Sequence, residues 1–329
     1  MNSRTRYLVT ASLLVVLVGL GTGLVAYYVG FPTSAFFADE GPDELRFVPA
    51  DATLVAFGNV HEIMTSDVRE RARRGLPRVP EGHERFRAET GINVETDIDR
   101  VIACLSRPAG SARTAGLVLA RGRFDAVRIE SLMRDHGATV GDYGGVRLIT
   151  GAASSAHPDG LSLGFIEPGL VGVGRTALVR TAIDLKHGGR GVTTNDDIMK
   201  RVRSLDVGDA WVVGRFEAVA SQANLPRGLP AQLLPITWIA ASAHLDGGLR
   251  GALRAETRDE ESASALRDLV RGFLAFAKLQ AGSRPELQTL VQSVDLDGTG
   301  TAVTLSFSLP LEMFDLLGVA MGQDIVKPR

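Results

Sequence analysis

The sequence predicts an α+β protein: a single N-terminal transmembrane helix followed by repeated β-α-β-β-α modules with antiparallel sheets. Three observations lead to this prediction. A long uncharged apolar segment stands near the N-terminus, strand and helix patterns then follow one another with glycine-rich turns, and one short pattern recurs after strands. Short turns between strand patterns are typical of antiparallel neighbours, because parallel strands need long crossovers.

The apolar segment runs from Tyr7 to Val29 without a charged side chain. A bilayer core is crossed by roughly 20 helical residues, so the segment is long enough to span it. Tyrosines stand at both ends, where aromatic rings favour the membrane interface (Tyr7, Tyr27, Tyr28). We therefore predict a transmembrane helix over residues 7–30.

The charges around this segment predict its orientation. Arg4 and Arg6 precede it, whereas the first charges after it are Asp39 and Glu40. Basic residues favour the cytoplasmic side, so residues 1–6 form a cytoplasmic tail and the C-terminal part is periplasmic or extracellular. The alternative is a cleaved secretory signal, but apolar regions of signals span only about 7–15 residues. Both alternatives export the domain.

Composition excludes several classes of protein. The chain has 36 Lys and Arg against 38 Asp and Glu, and both signs are interspersed, which gives no basic footprint for nucleic acid. With 45% hydrophobic residues it can form a substantial core. Cys104 is the only cysteine, so an intrachain disulfide is excluded. It lies in the apolar run VIACL, which predicts a buried core position.

We divide the remainder into a linker and one extracytoplasmic domain. Residues 31–46 contain Pro32, Gly41 and Pro42 and are predicted to be the linker. The α+β domain is predicted over residues 47–329. Its length is near the upper limit for a single core, so subdomains 47–209 and 210–329 are an alternative.

Element patterns follow in order along this domain. The first part is predicted to hold a strand (53–60), helices (61–74 and 83–91) and two strands (101–105 and 115–121). Next come a helix (124–137), hairpins turning at Gly144-Gly145 and Pro168-Gly169, and two helices (175–189 and 193–205), the second capped by Thr193 or Thr194.

The last part begins with a strand (210–216) and a proline-rich segment (224–235). A hairpin (236–257) precedes a long helix, for which Thr257 and Glu260 have capping-box spacing. Its predicted apolar face consists of Leu266, Leu269, Val270, Phe273 and Ala277. A final hairpin (294–310) and a short helix (311–322) end the chain.

The recurring pattern is Gly-Arg-Phe-acid-Ala-Val. It occurs at residues 122–127 and 214–219, with a fainter copy at residues 58–63. Each copy follows an apolar strand, so we interpret it as a strand-to-helix corner in which the acid lies in the first helical turn. Two or three related modules, with helices on one side of the sheets, are the resulting prediction.

The catalytic and binding motifs in the sequence lack the neighbouring strands, turns or helices that each motif requires. The G-x-S-x-G match around Ser162 is preceded by a turn and followed by a strand, the reverse of a nucleophile elbow. The G-x-G-x-x-A match at residues 172–177 lacks the following strand and acid that a dinucleotide site requires. Residues 295–300 resemble a calcium loop but continue as a strand, which favours a hairpin turn.

No metal or cofactor site is predicted. The six histidines are scattered without i, i+4 spacing, and a single cysteine cannot form a zinc pattern. We predict no catalytic, cofactor-binding or metal-binding residues.

Two candidate contact sites remain. The densest basic cluster is a candidate contact for anionic lipid or glycan and consists of Arg69, Arg71, Arg73, Arg74 and Arg78. Neighbouring acids favour an ordinary solvated helix face as the alternative. In the membrane helix, Gly19 and Gly23 have the small-xxx-small spacing that permits helix self-association and a homo-oligomer.

The runs FVPADATLVAFGNVHEI (47–63) and RAETGINVETDI (87–98) resemble uncharacterised bacterial membrane-anchored proteins. The resemblance implies an ectodomain that opens with a Pro-Ala-Asp turn into the first strand. It implies no functional residues.

Two function hypotheses follow. The first is a non-catalytic protein-binding or scaffolding module of the bacterial cell envelope. The alternative is a small-ligand-binding protein or hydrolase with a cleft between the modules, closed by residues 224–235. The absence of a motif with the right context favours the first, with an envelope protein and the membrane as partners.

Overall fold

The computed structural model describes residues 41–75, 87–88, 90–107, 114–151, 160–220, 235–282 and 285–314. Within these residues, twelve strands form one antiparallel sheet, and helices pack on both of its faces. The predicted α+β class is confirmed at this level. The repeat of whole modules stays a prediction.

The predicted anchor, Tyr7–Val29, and with it Gly19 and Gly23, lies outside the described residues. Among the helices that the structure describes, none is both long and apolar enough to cross a bilayer.

The strands lie side by side in the order β11-β12-β10-β9-β8-β1-β2-β3-β7-β6-β5-β4. Their bounds are β1 Leu54–Gly58, β2 Ile98–Ser106, β3 Ala115–Gly122, β4 Thr139–Tyr143, β5 Val146–Thr150, β6 Leu161–Glu167, β7 Leu170–Arg175, β8 Ala210–Arg215, β9 Ile236–His244, β10 Gly248–Thr257, β11 Val294–Asp297 and β12 Ala302–Pro310. The predicted turns of the β4–β5 and β6–β7 hairpins are confirmed, with φ of 56°, 71° and 73° at Gly144, Gly145 and Gly169.

The helices are α1 Val60–Thr65, α2 Asp67–Gly75, α3 Val94–Asp97, α4 Ala126–Asp135, α5 Thr176–Lys186, α6 Asp196–Arg203, α7 Phe216–Ala220, α8 Glu260–Ala281 and α9 Pro285–Gln292. Two 3-10 turns cover Asp43–Phe47 and Val192–Thr194. The predicted C-terminal helix begins in the described part, where residues 312–314 are helical; the remainder lies outside it.

Strand β1 joins the two predicted subdomains. Ala56 pairs with Ala103 of β2 on one side and with Val212 of β8 on the other. The sheet is therefore continuous across the predicted boundary at residues 209–210, where backbone hydrogen bonds join the two halves. The candidate lid lies outside the described residues except for Pro235.

Both faces of the sheet are buried at β1. Val55 and Phe57 belong to a core that includes α5 and α6, and the Phe57 ring stacks on Trp211 at 5.8 Å. Leu54, on the opposite face, packs against a second buried cluster that contains Phe216 of α7, and Leu266 of α8 packs against the same cluster. The prediction of helices on one side only is wrong, because side chains alternate along a strand and both sets are apolar here.

The 3-10 turn Asp43–Phe47 belongs to this core. Leu45 and Phe47 are each only 1% exposed, and the carboxylate of Glu44, 4% exposed, accepts a hydrogen bond from Arg121 Nε at 2.8 Å. The predicted linker, residues 31–46, overlaps this turn. Its last residues are packed because they supply apolar side chains that cover the sheet.

Three predicted helix starts differ from the structure. The helix expected over 61–74 is two helices, broken at Ser66, whose hydroxyl accepts a hydrogen bond from Arg69 N at 3.2 Å. Asn195, rather than Thr193 or Thr194, caps α6. Asp259 caps α8 in place of the expected Thr257 by accepting from Ser262 N at 2.8 Å. At α6 and α8, a residue one or two positions further along the chain accepts the capping hydrogen bond in place of the predicted one.

The three copies of the recurring pattern occupy equivalent local positions. Gly58, Gly122 and Gly214 lie at the ends of β1, β3 and β8, and a helix follows each of them. Phe216 is buried between α7 and the sheet, and Phe124 packs partly against the core beside β2. The predicted passage from strand to helix is present at each copy. The acid lies in the first helical turn at Glu62 and Glu217, as predicted, whereas Asp125 instead caps α4.

Candidate interaction surface

Ser162 lies within strand β6, as its sequence context predicts. Its buried hydroxyl is 2.9 Å from the hydroxyls of both Thr150 and Thr176. Ser162 thus links hydroxyls from β5 and from the start of α5. The arrangement satisfies a buried polar group, which is a structural role.

The glycines of the G-x-G-x-x-A match have a packing role. A Cβ on Gly174 would come within 2.4 Å of Gly116 O, and one on Gly172 within 2.8 Å of Ile166. The close neighbour of Gly174 is the adjacent strand β3, so this glycine permits close pairing of the two strands.

Acidic groups with shifted pKa values cluster near the start of β8. Burial raises the pKa of Asp209, whose carboxylate accepts a hydrogen bond from Leu245 N at 2.6 Å. Burial and the charge of Asp209 also raise the pKa of Glu62. Across the described part of the chain, no group of three or more His, Cys, Asp or Glu side chains converges to hold a metal ion.

Cys104 is a core residue, which confirms the prediction. It is 2% exposed, and burial raises the pKa of its thiol to about 12. Since the thiolate is the reactive form, we expect a maleimide to leave Cys104 unlabelled in the native chain and to label it after unfolding in urea. Mass spectrometry of the two samples checks this, and labelling of the native protein would contradict the burial.

The predicted basic cluster is divided by the fold. Arg69 of α2 forms an ion pair with Glu95 of α3 and donates to Met64 O of α1 at 2.8 Å. Its guanidinium therefore joins these helices to one another. Arg71, on α2, is partly buried. The side chains of Arg73 and Arg74, and all of Arg78, lie outside what the structure describes. Contact with an anionic surface stays a prediction.

A pocket formed further along the chain also contains arginines. It is open, has a volume of about 570 Å³ and is lined by Arg87, Ala88, Gly91 and Arg128. The guanidinium of Arg128 lies against Gly91, where a Cβ would meet it at 2.5 Å. The pocket brings a cation of α4 next to the segment that follows the predicted basic cluster.

Helix α8 follows β10 and lies at the end of the sheet that β10, β11 and β12 form. It begins at the Asp259 cap, whose pKa is lowered by the hydrogen bond from Ser262. It packs on β10, β11 and β12, and its C-terminal half contacts α9 through Ala277 and Ala281, which cluster with Val291. From Arg271 onward, the covered residues of α8 are Leu274, Ala277 and Ala281.

The C-terminal half of α8 has exposed apolar side chains on the side that faces away from α9. Phe273, Phe276 and Leu279 are 59%, 46% and 81% exposed. On side chains of this size, these fractions leave on the order of 300 Å² of apolar surface on one helix. Patches of ~300–600 Å² are the largest that typical monomers show and are often functional. We call Ala265, Leu269, Gly272, Phe273, Phe276 and Leu279 the α8 surface.

The predicted apolar face of α8 includes Phe273. This part of the prediction is wrong, because the Phe273 side chain is 59% exposed. The covered positions after Val270 are Leu274, Ala277 and Ala281, of which Ala277 and Ala281 pack toward α9. A signal was present in the sequence: the apolar positions Phe273, Phe276 and Leu279 cover a wider arc than one packed face requires.

The sequence matches no known protein family model and no curated protein. Two crystal forms of a protein called TP0453 are structurally similar to the chain. Crystal form I is 10% identical, with a TM-score of 0.48 over 86% of this chain and 99% of that one. Crystal form IV is 11% identical, with a TM-score of 0.49 over 85% and 97%.

Proposed function

We propose that the chain is a membrane-anchored, non-catalytic protein of the bacterial cell envelope whose exported domain binds a protein through the α8 surface. The observation that carries this proposal is the exposure of Phe273, Phe276 and Leu279 on one side of one helix. Exposed aromatic side chains are enriched at the centres of protein interfaces.

Three groups of polar side chains have structural roles, which supports a non-catalytic function. The Ser162 hydroxyl bonds to those of Thr150 and Thr176, and the Cys104 thiol is buried. The Arg201 guanidinium donates to Glu256 at 2.6 Å and lies 4.0 Å over the Trp238 ring, which fixes α6 on the sheet. Each group has a structural function that accounts for it.

The predicted anchor supports the membrane part of this proposal. An uncharged segment from Tyr7 to Val29 with Arg4 and Arg6 before it favours a cytoplasmic N-terminus and an exported domain. Anchoring holds the α8 surface within reach of other envelope proteins and raises its effective concentration toward them.

Affinity isolation from native membranes tests the proposal. The tagged full-length chain is crosslinked in cells and isolated, and bound proteins are quantified by mass spectrometry. Phe276→Ser is expected to reduce the bound partner roughly tenfold or more, because central interface aromatics contribute above 1.4 kcal/mol. Val127→Ser is the matched control, since Val127 is 81% exposed on a different helix, α4.

Equal recovery of every bound protein by the Phe276→Ser and Val127→Ser variants would contradict the proposal. So would turnover of an envelope substrate by the purified chain at a rate that Phe276→Ser leaves unchanged.

A further inference from the structure

We infer that the protein bound at the α8 surface is a second copy of this chain, with the two α8 helices packed antiparallel. The inference rests on the proposed function and names its partner. Five positions of the α8 surface carry it: Ala265, Leu269, Gly272, Phe276 and Leu279. They recur at intervals of four, three, four and three residues.

Such alternating intervals define the seam along which two helices pack as a coiled coil. In α8 this seam points away from the fold. The buried residues of α8 lie on the other side of the helix, where Ala277 and Ala281 cluster with Val291 of α9. In the seam, Leu269 is half-buried and the other four positions are exposed, so the described residues leave room for another helix along it.

Gly272 interrupts this seam without a role inside the described fold. No atom lies within 4 Å of the position a Cβ would take. Glycine weakens a helix interior relative to alanine, so a residue of this kind on an exposed helix calls for a reason outside the packed core. A notch that accepts a side chain from another helix is such a reason.

Antiparallel pairing matches large side chains to small ones. With a two-fold axis between Val270 and Arg271, Leu269 faces Gly272 of the partner subunit, and Phe276 faces Ala265 of the partner subunit. Parallel pairing would instead place the Phe276 side chains of the two copies opposite each other, and likewise the two Gly272 positions. The sizes of the seam residues therefore favour the antiparallel arrangement, in which the contact is self-complementary.

The contact is small for a free dimer. Two α8 surfaces bury on the order of 600 Å² of apolar area, below the ~1,200 Å² of stable interfaces. Attachment of both copies to one membrane compensates for this through effective concentration. The predicted spacing of Gly19 and Gly23 in the anchor is consistent with the same pairing. We therefore expect pairing of the full-length chain in membranes.

Disulfide trapping between two differently tagged full-length copies tests the arrangement. One copy carries Ala265→Cys and the other Phe276→Cys, and both are coexpressed in native membranes and oxidised mildly. The antiparallel seam places these two positions together and leaves the second Phe276–Ala265 contact intact. Two copies that both carry Phe276→Cys place their thiols roughly 16 Å apart along the helices, given 1.5 Å of rise per residue, and should not crosslink.

The expected result is a disulfide between the tags for the Ala265→Cys and Phe276→Cys pair only. Ser264→Cys paired with Phe276→Cys is the control, because Ser264 is exposed next to the seam but outside it. The native Cys104 is buried and does not interfere. A disulfide between two Phe276→Cys copies would overturn the antiparallel arrangement.

The other outcomes separate this inference from the proposed function. Phe276-dependent capture of a different protein, without the disulfide, overturns self-pairing and leaves the proposed function standing. If the Phe276→Cys thiol resists maleimide until residues 315–329 are removed, the chain's own C-terminus occupies the surface and self-pairing is overturned. Absence of both the disulfide and Phe276-dependent capture overturns both.

Discussion

Replacing Phe47 with alanine is expected to lower the free energy of unfolding by about 3–5 kcal/mol. Phe47 is 1% exposed and belongs to the core formed by the sheet with α5 and α6. The Arg46 guanidinium lies 4.7 Å from the centre of its ring. The substitution leaves a cavity at the start of the folded domain. Urea unfolding of the chain from residue 41 onward, followed by fluorescence of the buried Trp211 and Trp238, measures this loss.

Asp43→Ala is the control for this experiment, because Asp43 is exposed in the same turn. It should leave the unfolding midpoint almost unchanged. If Phe47→Ala also left the midpoint unchanged, the turn Asp43–Phe47 would not be part of the core, and the predicted linker would extend to residue 46 after all.

Gly122→Ala is expected to have a similarly large effect, a loss of about 3 kcal/mol or more. A Cβ at this position would lie 2.0 Å from Asp97 O and 2.9 Å from Ile98 Cα. Both are backbone atoms of the neighbouring strand region and cannot move aside without breaking the pairing. The same corner is held by hydrogen bonds from Gly122 N to Gly169 O and from Arg123 N to Asp97 O. Thermal unfolding of the variant measures the loss.

Gly141→Ala provides a matched control. Gly141 lies in the edge strand β4, and nothing lies within 4 Å of the position its Cβ would take. Since its φ is not in the left-handed region, alanine fits, and a change below about 0.5 kcal/mol is expected. Equal stability of the Gly122→Ala and Gly141→Ala variants would show that the close approach at Gly122 is not required.

The hairpins of this fold could be predicted because their information is local. Gly144-Gly145 and Pro168-Gly169 stand between strand patterns, and both turns form where expected. The pairing of β1 with β8 and of β3 with β7 could not be predicted in the same way. These strands are far apart in sequence, and their order in the sheet depends on how the helices pack.

The sequence of β1 already indicates that both faces of the sheet are buried. The run Leu54–Phe57 is apolar at every position, whereas a strand with one solvated face alternates. The prediction of helices on one side was based on the recurring strand-to-helix corners and did not use this apolar run. Helix starts differed by one to three residues, because several neighbouring polar residues compete to cap the same end.

The α8 surface was only partly predictable. The seam from Ala265 to Leu279 is readable from the sequence, but the same helix also carries a second set of apolar positions that includes Val270 and Ala277. Sequence alone does not decide which set is covered by the sheet. The structure decides it, because Ala277 packs toward α9 and leaves Phe276 exposed.

Site-specific photocrosslinking in intact cells shows whether the α8 surface contacts another protein. A photoreactive phenylalanine analogue is placed at position 276 of the full-length chain, and at position 127 as the exposed control. We expect a discrete protein adduct from position 276 and none from position 127, because the α8 surface is the proposed protein contact and Val127 lies on α4. Adducts with lipid alone at position 276, or the same adducts from both positions, would contradict it.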